Sequence, residues 1–171
     1  MSGPTGREEL RELQAPIKER YRDEPVTALI TLEADGELDS GISCSVRTGQ
    51  ALVKAGLHPG TGGDGSLACS GDMLLQALAA CAGVTMRSVA TSMELEVSGN
   101  VHAEGDLDWR GTMAVDRDAP VGFKEIRLRF ELESDADDEQ LATLQRLTER
   151  YCVVFQTLAG SPELSVSLLR A

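Results

Sequence analysis

Aromatic side chains are scarce in this chain, at 4% of 171 residues. The core must therefore be filled by Leu, Val, Ala and Met. Cation runs are missing too: no stretch of four basic residues occurs, and 16 Lys and Arg face 28 Asp and Glu for a formal charge of −12. That field repels nucleic acid and anionic membrane and argues against phosphate-rich partners. No CxxC occurs and the two histidines stand at unrelated spacings, which excludes the usual structural zinc sites. The opening MSGPTGREEL lacks a basic region followed by an apolar one, so no secretory signal is expected. The longest apolar stretch, Met73 to Met86, is interrupted by Gln76. It is too short to span a bilayer and reads as a core helix. A cytoplasmic location follows as the expectation, with thiols kept reduced.

What is present fits one soluble domain with a real core: 42% apolar and 26% charged residues. Residues 1–25 form a charged arm, with helix-forming stretches at Glu8–Gln14 and Ile17–Arg22 punctuated by Pro16 and Pro25. Residues 26–171 form the body. Alternating apolar positions predict strands over Ala28–Ala34 and Ile42–Val46, with Asp35-Gly36 as the turn between them. A further short strand over Ala51–Ala55 is ambiguous. The glycine-rich loop at 58–65 precedes a helix from about Asp72 to Ser92, whose first turns are apolar on nearly every side and so predict burial all round.

Val97–Trp109 and Ile126–Leu132 alternate as strands. A second helix spans about Asp135 to Cys152, with Ser134 or Asp135 as cap. Leu164–Leu168 reads as a last strand. The class is α+β.

Several motifs are set aside. Gly60, Gly62 and Gly65 satisfy G-x-G-x-x-G, but residues 73–93 hold no Asp or Glu to meet a ribose. His58 and His102 read as solvent-facing, Trp109 as core. The acidic run at 135–139 is helix-start chemistry, not a calcium loop. Neither metal nor cofactor is expected.

Four thiols remain: Cys44, Cys69, Cys81 and Cys152. Cys44 shares a strand face with Ile42 and Val46 and reads as a small buried hydrophobe. Cys69 stands just before the apolar helix, where the dipole favours a thiolate, and is a rival nucleophile. It lies twelve residues from Cys81, about 18 Å along a helix, too far to bridge. Cys81 sits mid-helix in ALAACAG among small residues, with Thr85 and Ser88 on its own face. Read alone, it is better taken as an inert core cysteine: burial raises its pKa, the dipole gives no help there, and reactivity needs a nearby cation. Cys152, in ERYCVV at a helix C-terminus, is a poor first nucleophile and an acceptable second one.

Two segments carry a resemblance. CSGDMLLQALAACAGVTM, holding Cys81, resembles the central helix of the osmotically inducible protein C / organic hydroperoxide resistance (OsmC/Ohr) family. LTERYCVVFQTL, holding Cys152, resembles its second cysteine motif. The order of strands and the 71-residue separation of the cysteines are also similar, and the likeness covers roughly residues 26–170.

The resemblance implies an OsmC-like fold: antiparallel sheets wrapped around a buried central helix, in an intertwined homodimer with active sites at the interface. It implies a thiol peroxidase in which Cys81 attacks an organic hydroperoxide and becomes a sulfenic acid. Cys152 then resolves it as a disulfide, which an external dithiol (a lipoylated protein, for instance) reduces. The alternative is a redox sensor or a binder of small apolar ligands on the same fold. Two positions depart from the family pattern. Gly71 stands where hydroperoxide-resistance members carry a glutamate paired with an activating arginine; Asp72 or Asp64 are the candidate substitutes, and Arg47 is the candidate arginine. Val153 stands where many members have proline, so the helix is expected to run on past Cys152.

Overall fold

The computed structural model describes residues 7–38, 44–47, 56–66 and 68–170. The side chains of residues 7–11, 13, 30–38 and 44–47 are not described. The first element is a helix, α1, Arg7–Asp23. It runs unbroken through Pro16, whose side chain is exposed, so that proline does not divide the arm as expected. The helix docks through Tyr21, which is fully buried and donates from its hydroxyl to the Gly60 carbonyl at 2.5 Å. Gln14 donates to the Thr61 carbonyl nearby. One ring and two hydrogen bonds thus tie the arm to the glycine-rich loop.

A short turn of 3-10 helix, Pro25–Ala28, leads into β1, Leu29–Leu38. This strand passes straight through Asp35-Gly36, where a turn was expected, because both residues are paired on each side. Asp35 faces Arg47 of β2 (Cys44–Arg47) and His102 of β3 (Ser98–Asp108). The cross-strand ladder overrides the local turn preference. The expected strand at Ala51–Ala55 lies outside the described residues, as does the inward placement of Cys44's side chain.

Antiparallel pairing continues from β3 to β4, Phe123–Glu133, giving the order β2-β1-β3-β4. Alternation in β3 buries Val101, Ala103 and Leu107 and leaves His102, Glu104 and Asp106 on the other face, half-buried. His102 lies 3.6 Å from Glu104. A tight turn follows β3, in which α3 (Trp109–Thr112) is capped by Asp108 and pinned by the Asp108–Arg110 ion pair. Trp109 is core, as expected.

Across the inner face of the sheet lies α2, Ser70–Ser92. Leu75, Leu78, Ala79 and Ala82 pack with Val101, Ala103 and Leu107, each larger side chain contributing about 1.5–3 kcal/mol by leaving water. With 23 residues and an 18-residue window of mean hydropathy 1.4, α2 is by length and composition long and apolar enough to cross a bilayer. That corrects the shorter estimate from the sequence; in this chain the helix packs on the sheet instead. Nor is it buried all round within one chain: Leu74, Ala77 and Val84 stand exposed on its far side.

Helix α4, Asp138–Tyr151, starts at Asp137 rather than Ser134 or Asp135. Asp137 accepts from the Gln140 amide, while Gln140 accepts from the Asp137 amide, a reciprocal cap that fixes the start. It ends at Cys152, and a separate helix, α5, occupies Val153–Gly160. The expected last strand is absent. Residues 161–170 form no regular structure, and Leu164, Val166, Leu168 and Leu169 are each at least 90% exposed. A strand needs a ladder partner, and none of the described residues of this chain supplies one.

Gly99 gives a direct test of the β3–β4 pairing. Its φ is +131°, and an added Cβ would sit 2.0 Å from the Glu131 carbonyl oxygen of the paired strand. Gly99→Ala is expected to cost about 2 kcal/mol or more, read as a lower midpoint in urea unfolding with an unchanged slope.

Candidate active site

The chemistry of the site begins with a break in a helix. Cys152 adopts φ −70°, ψ 107°, so it ends α4 and caps α5 at once. Its own amide donates to the Thr148 carbonyl, closing α4. Its sulfur accepts from the Phe155 amide at 3.5 Å, opening α5. The helix therefore does not run on past Cys152, although no proline stops it. The change of direction brings α5 against α2, and with it two sulfurs 71 positions apart in sequence.

Cys81 is partly buried on α2, and Cys152 is fully buried. The two thiols interact, and the interaction lowers the pKa of Cys81 while it raises that of Cys152. Partial burial pushes the Cys81 thiol up, but its donors outweigh that. The Val154 amide, the Cys152 thiol, the Val153 amide and the Thr85 hydroxyl together hold it below the ordinary thiol range. Cys152 goes the other way, pushed up to about 11. Burial comes first, the Phe155 amide opposes it, and the bond to Cys81 and the charge on Cys81 raise it further.

The asymmetry read from the sequence is therefore present, with different causes. The stabilising positive end for Cys81 is not its own helix and not a described cation. It is the first turn of α5, whose amides have no partner within that helix.

Thr85 and Ser88, placed beside Cys81 by helical spacing, line an apolar groove of about 530 Å³ between α2 and α4. Val84, Met93, Leu147 and Tyr151 form its walls. Thr85, one helical turn beyond Cys81, lines the groove, whereas Cys81 itself does not.

Other expected site residues lie elsewhere. Asp72 is in the first turn of α2, nine residues from Cys81 and about 13 Å away along the axis. Burial pushes its carboxyl up, while nearby His58 and the Cys69 amide oppose this. Asp64 is exposed and bonds Ser66 in its own loop. Arg47 is the last residue of β2, which packs against α2; its side chain is outside the description.

Cys69 is the N-cap of α2, buried, in a separate cavity of about 310 Å³ that also holds His58 and Trp109. His58 is not solvent-facing: its ring stacks on Trp109 at 5.1 Å and Nδ1 accepts from the Gly60 amide. Burial lowers its pKa, with Asp72 opposing. The amides of Val153, Val154 and Phe155 escaped sequence reasoning. Main-chain donors carry no residue-type signal, and only the location of the helix break would have shown them.

Comparisons with known proteins agree with this architecture. The family model described as OsmC-like protein matches residues 63–167. Among solved structures, the chain is similar to an OsmC-like hydroperoxide resistance protein from Jannaschia sp. CCS1. The TM-score is 0.57 at 16% identity, over 84% of this chain and 92% of that one. No curated protein matches the sequence.

If the charge on Cys81 helps hold Cys152 protonated, Cys81→Ala must lower the Cys152 pKa from about 11. The check is the pH dependence of Cys152 alkylation in the reduced variant, followed on its own peptide. An unmoved midpoint would mean that burial alone sets it.

Proposed function

The chain belongs to the OsmC-like protein family, and from that membership and the paired thiols we propose that it is a thiol-dependent peroxidase acting on organic hydroperoxides. The observation that carries the reading is the packing of α5 on α2, which brings together two unlike thiols, Cys81 with its pKa lowered and Cys152 with its pKa raised, one helical turn from an apolar groove.

The Cys81 thiolate attacks the outer oxygen of the hydroperoxide. The O–O bond breaks, an alkoxide leaves and takes a proton to become an alcohol, and Cys81 becomes a sulfenic acid. With the Cys81 charge gone, the restraint on Cys152 ionisation is relieved. Its thiolate attacks the Cys81 sulfur, the S–O bond breaks, hydroxide leaves as water, and a disulfide remains. An external dithiol, a lipoylated protein for instance, returns both thiols. Apolar walls favour an organic substrate over hydrogen peroxide. The setting is the cytoplasm, where such a disulfide is transient.

The working form is a homodimer. Support comes from the apolar groups that one chain leaves in water: Leu74 and Val84 on α2, Val153 on α5, and the alternating Leu164, Val166 and Leu168 beyond it. Unpaired apolar surface of this extent is the mark of an interface.

One equivalent of cumene hydroperoxide should cost the reduced protein two hydrogens in mass, mapped to the peptides holding Cys81 and Cys152. Cys81→Ser should abolish turnover and Cys152→Ser should trap the sulfenic acid. The rate with wild type should fall as pH drops through the lowered Cys81 pKa, since only the thiolate attacks. Unchanged turnover in Cys81→Ser removes the enzyme. A slow, stoichiometric oxidation by peroxide in the wild type supports a redox sensor instead. Sedimentation at micromolar concentration should give twice the chain mass, and a single-chain mass would refute the dimer.

A further inference from the structure

Where α4 stops, one of its carbonyls has lost its usual donor. In a continuous helix the Glu149 carbonyl would accept from the Val153 amide, four residues on. Valine carries that N–H, so the residue type at 153 does not itself end the helix. In the folded chain the Glu149 carbonyl accepts instead from the side-chain amide of Gln156, at 2.8 Å. The Gln156 main-chain amide meanwhile donates to the Cys152 carbonyl at 2.9 Å. One residue thus grips the break from both sides, its side chain on α4 and its main chain on Cys152.

The Glu149 carboxylate is drawn the other way, accepting from Gln145 one turn earlier at 2.8 Å. Gln156 therefore meets main chain rather than a charged group. Its own side chain stands exposed, and by residue type it reads as an ordinary solvated position.

We infer that Gln156 is a positioning residue for the thiol pair, its side chain occupying the Glu149 carbonyl against the return of a continuous helix and so keeping α5 on α2. The inference rests on the reading above only in taking Cys81 and Cys152 as the working pair. Packing holds α5 lightly, since none of its side chains is fully buried. Cys152, fully buried, lies at the corner that the clamp closes. A corner that opens moves the Cys152 sulfur relative to α2.

One neutral hydrogen bond shifts an equilibrium roughly two- to tenfold. Gln156→Met keeps the length and helix preference of the side chain and removes the donor. Gln156→Lys keeps a donor able to reach carbonyls at a helix end. The Phe155 amide, which bonds the Cys152 sulfur across the same corner, reports opening without any thiol chemistry. Its hydrogen exchange in the reduced protein should quicken in Gln156→Met by the factor above and return toward wild type in Gln156→Lys.

The second readout is the Cys81–Cys152 disulfide at equilibrium with a dithiothreitol redox buffer, two electrons and two protons passing between protein thiols and reagent. Gln156→Met should form it less readily by a similar factor, and Gln156→Lys should restore it. A bond that merely stabilised the fold would strengthen reduced and oxidised forms alike and leave this equilibrium untouched. Faster Phe155 exchange with an unmoved disulfide equilibrium therefore overturns the inference. So does a Gln156→Met protein that matches wild type in both, or a Gln156→Lys protein that restores neither. Should the wild type turn over no peroxide while both readouts shift and lysine restores them, the peroxidase reading fails and this one stands.

Discussion

At Cys152 the main chain leaves helical geometry for one residue and then resumes it, and the site depends on that change of direction. A continuous helix would bury the amides of 153–155 in its own ladder and carry the Cys152 sulfur past α2. The break frees those amides, turns the Phe155 N–H onto the Cys152 sulfur, and makes Cys152 a cap as well as a thiol. Thr148, buried below it, accepts the last amide bond of α4 and holds the bend from the α4 side.

The charge of the whole molecule makes this solution intelligible. A protein with formal charge −12 is poor surroundings for one more anion, although salt screens the distant carboxylates. A described cation does not meet the thiolate. Neutral dipoles at contact distance act where screening cannot reach, and they bring no counter-charge to be desolvated.

Much of the frame was legible in the residues. The apolar run around Cys81 marked α2, and strict alternation from Val97 marked β3, because burial on one face writes its period into the sequence. Other features depend on partners that local sequence does not name. Asp35-Gly36 reads as a turn but is held extended by ladders on both sides. Leu164–Leu168 has the alternation of a strand but nothing among the described residues to pair with. The α4 cap moved to Asp137 because Gln140 completes a reciprocal pair there. At the site, residue type pointed to the two cysteines and to Thr85 as their neighbours, whereas the α5 amides could not be seen, since every residue but proline carries one.

No side chain of α5 is fully buried; Val154, Phe155 and Leu158 pack against the core only in part. A segment so lightly held opens by local fluctuation well before the rest of the molecule. Each opening withdraws the amides from Cys81 and returns its sulfur toward an ordinary thiol. In a separated chain, warming would thus quench the sulfur's reactivity at temperatures where the sheet and α2 remain intact, so the working ceiling of the site is set by whatever covers these eight residues, a partner chain included, rather than by the domain.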